Sequence, residues 1–131
     1  MKRLALPVAL SLLAAAGAAA GEVPDLRGTW VAELVGNDYD AAAKTFASQP
    51  RRVTFVVDRQ EDGNFSGAFS TGANSYAAVG SIHPRTGQFV ITSGIGLSYG
   101  AYAGGDELDL CYDQIGQADF GSSCATYKRQ R

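Results

Sequence analysis

Glu107, Asp109 and Asp113 recur at alternate positions, with Cys111 completing the series. Carboxylates so spaced could exchange protons with a substrate or hold a hard cation. On an extended strand, however, alternate residues share one face. The opposite face here is Leu108, Leu110 and Tyr112. The acids are therefore read as the solvated side of a half-buried strand. His83, the single histidine, precedes Pro84 in a His-Pro-Arg-Thr-Gly turn and is read as a turn residue rather than a general base. The glycine series in SGIGLSYG (residues 93–100) could suggest a phosphate cradle. Such a cradle opens a helix, whereas this one runs on into strand and turn residues. No nucleophile stands with a base and an orienting acid. No catalytic residue, metal ligand or cofactor is assigned, and the chain is not expected to be an enzyme.

The aromatic residues offer more. Tyr76, Tyr99, Tyr102 and Tyr112, with Trp30 and Phe46, could line a pocket of apolar walls and a few hydroxyls. Tyrosines also simply fill the interiors of small barrels, so both uses stay open. Residues 36–50, GNDYDAAAKTFASQP, form the longest irregular stretch. Within it AAAKTFA could make a helical turn or two before Pro50. Long loops in compact domains are often functional, which makes this one the expected lid or contact surface. Asp38 and Asp40 lie in it and could ring a mouth.

The elements that would position these residues are strands. Short runs rich in Val, Ile, Phe, Tyr and Thr alternate with Gly, Asn and Asp clusters, and no amphipathic helix pattern is sustained. Eight strands are expected, at residues 28–35, 51–59, 65–71, 75–83, 88–93, 96–103, 107–113 and 123–129. In the first, Trp30, Ala32 and Leu34 share a face; in the second, Val53, Phe55 and Val57 do. Asp62-Gly63 can take the positive φ angles of a tight hairpin. Short turns make neighbouring strands antiparallel. The expected fold is thus all-β, an eight-stranded antiparallel up-and-down barrel, which removes exposed edges. A β-sandwich is the alternative. Glycines within strands, among them Gly67, Gly80, Gly96 and Gly100, suit the coiling of a small barrel.

The first twenty residues stand apart. Lys2 and Arg3 precede an apolar run, and Ala18-Ala19-Ala20 supplies a small-residue cleavage site. This is the pattern of a secretory signal, expected to be removed after Ala20 to leave one domain, residues 21–131. The apolar run is short for a membrane span, which needs roughly 20 residues. Without Lys2 and Arg3, nine basic residues face thirteen acidic ones, a net charge of about −4. Only the tail Lys128, Arg129, Arg131 is basic, so a nucleic-acid partner is not expected. Periplasmic or secreted location follows, and there Cys111 and Cys124 are expected to pair. Neither cysteine sits in a Cys-x-x-Cys motif.

Two short motifs carry a resemblance. LRGTW at residues 26–30 and GNFSGAF at residues 63–69 resemble the first strand and a following Gly-x-Phe-x-Gly-x-Tyr strand of avidins, within the calycin group of barrels. The resemblance implies a closed barrel with a ligand pocket. It does not imply biotin: the position two after the tryptophan, a polar biotin ligand in avidins, is Ala32, and the position six after it, a ligand hydroxyl, is Gly36. The ending DELDLCY…CATYKRQR is similar to that of small exported bacterial proteins, which implies a compartment and no activity. The expected function is binding of a small apolar or amphipathic ligand. The alternative is a filled barrel acting as an exported inhibitor or envelope accessory protein with a protein partner.

Overall fold

The computed structural model describes residues 21–115 and 119–131; the expected signal, residues 1–20, lies outside them. Eight strands follow one another: β1 (Gly28–Asp40), β2 (Thr45–Glu61), β3 (Asn64–Thr71), β4 (Asn74–Ile82), β5 (Gln88–Ser93), β6 (Gly96–Gly104), β7 (Glu107–Gln114) and β8 (Asp119–Arg129). Each pairs antiparallel with the next, and β1 pairs with β8, closing an up-and-down barrel. The sandwich alternative is thereby set aside.

Period-two alternation decides what lies inside. Trp30 and Ala32 of β1 point inward with Val53, Phe55 and Val57 of β2, and Trp30 stands opposite Phe55 in register. Phe65 and Phe69, Ala78 and Ile82, Phe89 and Ile91, Leu108 and Leu110, and Tyr127 complete the core. Phe55 stacks on Phe69 with ring centroids 4.3 Å apart. The outward positions carry cross-strand polar pairs such as Arg52–Glu33 at 2.8 Å and Lys128–Glu107 at 3.8 Å. The acids of β7 belong to this outer wall, where Asp109 accepts a 2.6 Å hydrogen bond from Thr126.

A barrel this small forces backbones together. A Cβ on Gly67 would lie 1.8 Å from the Val56 carbonyl oxygen, and one on Gly100 would lie 1.9 Å from that of Asp109. Only glycine fits at either place. In the Asp62-Gly63 hairpin, Asp62 alone takes positive φ, at 52°.

Residues 36–50 differ from the expected loop and helical turn. β1 and β2 continue outward through them, joined by a turn at residues 41–44 with Lys44 at φ 54°. Local alanine propensity for helix yields here to pairing: Tyr39 stands opposite Phe46, and Ser48 donates a 2.8 Å hydrogen bond to Asn37. The strands outrun the barrel, and residues 40–50 are exposed. β8 also starts earlier than expected, pairing its residues 119–122 with β1 residues 37–40.

One end of the barrel is plugged. The segment before β1 crosses it and buries Leu26 fully. Trp30 is also fully buried, and its indole N–H donates to the Leu26 carbonyl at 2.8 Å. The Gln60 side-chain amide clasps the same segment, donating to the Pro24 carbonyl and accepting from the Leu26 N–H, each at 2.8 Å. Gly28, at φ 129°, turns the chain from the plug into the wall. The Leu-Arg-Gly-Thr-Trp stretch is thus a lid for the barrel floor.

Candidate functional site

At the end opposite the plug the barrel is hollow. A cavity of about 270 Å³ opens between the ends of β1, β2, β7 and β8 and the β5–β6 turn. Its floor is apolar: Leu34, Val53, Phe69 and Leu110, with the ring of Tyr127. Its polar lining residues include Arg51, Tyr76, Tyr112, Gln114 and Ser123, with the exposed Ile115 beside them and Ser98 buried. Apolar walls with a few convergent polar groups are the usual make-up of a small-molecule site, and the volume falls just below the usual range of roughly 300–1,000 Å³.

The mouth residues arrive by strand parity. Arg51 is in phase with Val53 and Phe55, one step further out, so it faces inward. Its side chain lies across Gly36, where a Cβ would stand 3.3 Å from its guanidinium carbon. From there it donates a 2.5 Å hydrogen bond to Asp38. A Cβ on Gly121 would lie 3.2 Å from that aspartate and 3.1 Å from the Gln114 side-chain oxygen. Two glycines therefore leave room for the polar rim.

Tyr112 donates a 2.9 Å hydrogen bond to the Ile95 carbonyl, tying β7 to the β5–β6 turn. Burial raises its pKa above the ordinary tyrosine value, and the nearby Tyr76 adds to the rise while Arg51 opposes it. Deeper in, burial pushes the Tyr127 phenol up to about 12. Both phenols are neutral at physiological pH, and that of Tyr112 serves as a hydrogen-bond donor.

The six aromatic residues singled out above are distributed over the whole barrel. Tyr76 and Tyr112 line the cavity. Trp30 is buried in the plug at the other end. Tyr102 faces inward near the plug, donating a 2.6 Å hydrogen bond to the Gly105 carbonyl. Tyr99 is on the outer wall, about half exposed. Phe46 is on the projecting hairpin, packed on Tyr39 at 4.9 Å between centroids, and is 75% exposed. The structure therefore does not bring Trp30, Phe46, Tyr99 or Tyr102 to the cavity. Arg51, Ser98, Gln114 and Tyr127 are brought there without having been singled out. For Arg51 and Tyr127 the signal was parity with Val53 and Ala125.

The disulfide joins Cys111 to Cys124 across directly opposed positions of β7 and β8, with Cα atoms 4.0 Å apart. It clamps the outer wall behind the cavity. A larger hollow of about 1040 Å³ runs over this wall past Val90, Tyr99 and the disulfide. It is shallow and open to solvent, whereas the inner cavity is walled on its sides and floor, so water exclusion favours the inner one. His83 is exposed in its turn, its Nδ1 accepting from the Arg85 N–H at 3.3 Å. No group of three or more metal-ligating side chains occurs among the described residues. Comparison with known proteins finds no family model, no curated protein and no solved structure that matches the chain.

Proposed function

We propose that this protein is an exported calycin-like barrel that binds a small apolar or amphipathic molecule through its open end. The carrying observation is the cavity of about 270 Å³ at the end away from the Trp30 plug, apolar below and polar at the rim. A filled barrel would have no need of a floor lined by Leu34, Val53 and Phe69 beneath an open mouth. The disulfide and the signal-like first twenty residues support a periplasmic or secreted site of action. Biotin is not the proposed ligand, since Ala32 and Gly36 offer it no polar side chain.

The test is native mass spectrometry of the mature, oxidised protein from its own host, before and after gentle denaturation. A stoichiometric small mass released on unfolding is the expected result. Bare protein across growth conditions would count against this reading.

A second reading has its own observation. Phe46, Tyr39 and Phe120 stand side by side in register on the outer face of the projecting β2–β1–β8 strands, and Phe46 and Phe120 are 75% and 57% exposed. Exposed aromatics of this kind fit a protein partner, as an exported inhibitor or envelope accessory module would have. Saturable binding to such a partner, lost in a Phe46→Ser variant with the cavity left intact, would favour it.

A further inference from the structure

Among the described residues lining the cavity, Arg51 is the one that carries a formal charge. It stands at the rim, above the apolar floor and beside the hydroxyl groups of Tyr76 and Tyr112. We infer that the cavity selects an apolar monocarboxylate, taken tail-first, with its carboxylate held at the mouth by Arg51. This inference rests on the ligand-binding reading above and goes beyond it by naming the head group.

Three observations carry it. The lining is divided in character: Leu34, Val53, Phe69 and Leu110 give an apolar surface, and Arg51, Tyr76, Tyr112 and Gln114 a polar one, with the exposed Ile115 also at the lining. Tyr112 already donates to the Ile95 carbonyl and Arg51 to Asp38, so the donors that a carboxylate would engage are the remaining guanidinium N–H groups. The guanidinium has donors to spare, because five N–H groups are present and Asp38 accepts from one nitrogen, Nη2. Its planar fork suits a carboxylate better than any other common anion except phosphate. Lastly, the side chain is placed rather than loose: Gly36 leaves the space beneath it and Asp38 anchors its tip. Asp38 is therefore a positioning residue, and it also keeps the empty mouth close to neutral.

Size narrows the class. A volume of 270 Å³ corresponds to about nine water molecules at roughly 30 Å³ each. The buried part of the ligand is then about ten non-hydrogen atoms, the size of an eight-carbon acid. Long-chain acids would leave much of the tail in water.

The experiment is calorimetric titration of the purified, oxidised protein with octanoate and with 1-octanol, in the wild type, Arg51→Gln and Arg51→Lys. The expected result is an octanoate preference of tenfold or more in the wild type. Arg51→Gln should remove that preference while octanol binding stays within about twofold, which also shows that the variant is folded. Arg51→Lys should keep part of it. Equal binding of the two probes by the wild type, or a preference that survives in Arg51→Gln, would overturn the carboxylate assignment and leave the binding cavity standing. Binding of neither probe would overturn the cavity reading and this inference together.

Discussion

The guanidinium carbon of Arg129 lies 4.1 Å from the centroid of the Trp30 ring, so β8 caps the first buried residue of β1. Arg129 also donates to the carbonyls of Arg27 and, at 2.8 Å, of Asp25, and it pairs with Asp106 at 3.5 Å. One side chain thus links the plug segment, β1, β8 and the β6–β7 turn. Its contacts are a cation over an aromatic face and charge-assisted hydrogen bonds to backbone. Arg129→Ala should lower stability by about 1–3 kcal/mol in urea unfolding. Trp30→Ala should cost about 3–5 kcal/mol, the range for a large buried aromatic. If Arg129→Ala unfolds at the wild-type urea concentration, the plug is not held in this way.

The disulfide predicts a second stability difference. Cys111 and Cys124 are thirteen residues apart, and closing a loop of that size is worth about 3 kcal/mol in the chain-entropy model. The Cys111→Ser/Cys124→Ser protein should lose about 2–4 kcal/mol yet keep its β-sheet circular dichroism, since the pair lies outside the core. Urea curves with and without reductant should differ for the wild type and coincide for the variant.

Tyr127 makes stability depend on alkaline pH. Its pKa is about 12 in the folded chain against 10.0 for an ordinary tyrosine, because burial disfavours the phenolate. A group raised in this way contributes fully below the unfolded value and loses its contribution as pH climbs to the folded one. Stability should therefore fall between pH 10 and 12, by roughly 2–3 kcal/mol from this residue. Tyr127→Phe should flatten that fall. Denaturation midpoints measured at pH 9, 10.5 and 12 in both proteins give the comparison.

Asp38 offers a test in the opposite direction from Arg51. Removing its charge leaves Arg51 uncompensated at the mouth. The pair is partly exposed, so the gain for an anion is bounded by the worth of a surface ion pair, up to about 1 kcal/mol. Asp38→Asn should tighten octanoate binding by about two- to fivefold and leave 1-octanol unchanged in the same titrations.

The barrel was legible in the sequence because each of its strands has one buried face. Val53, Phe55 and Val57, or Leu108, Leu110 and Tyr112, announce themselves by alternation, and the turn residues between such runs set the strand order. Residues 40–50 have no buried face, so no alternation marked them as strand; their conformation comes from the partner strand opposite. The site was legible only in part for a related reason. Tyr99 and Tyr102 are three apart in β6 and must face opposite ways, one to solvent and one inward. Residue type alone suggested both. Conversely, Arg51 looks like a surface residue by type and is placed at the mouth by phase with Val53. Which end of the barrel would be plugged depends on the path of residues 21–27, and nothing in their composition states it.

The pairing of β1 with β8 has a bearing on how the chain acquires its structure. Trp30 meets Arg129, and Asp40 meets Asp119, so contacts that complete the wall span most of the sequence. Such long-range closure is entropically slow, and topologies dominated by it fold in milliseconds to seconds. The barrel cannot shut until residues 119–131 have been synthesised. A nascent chain that lacks β8 therefore stays open, with one edge of β1 unpaired until that strand arrives to seal the wall.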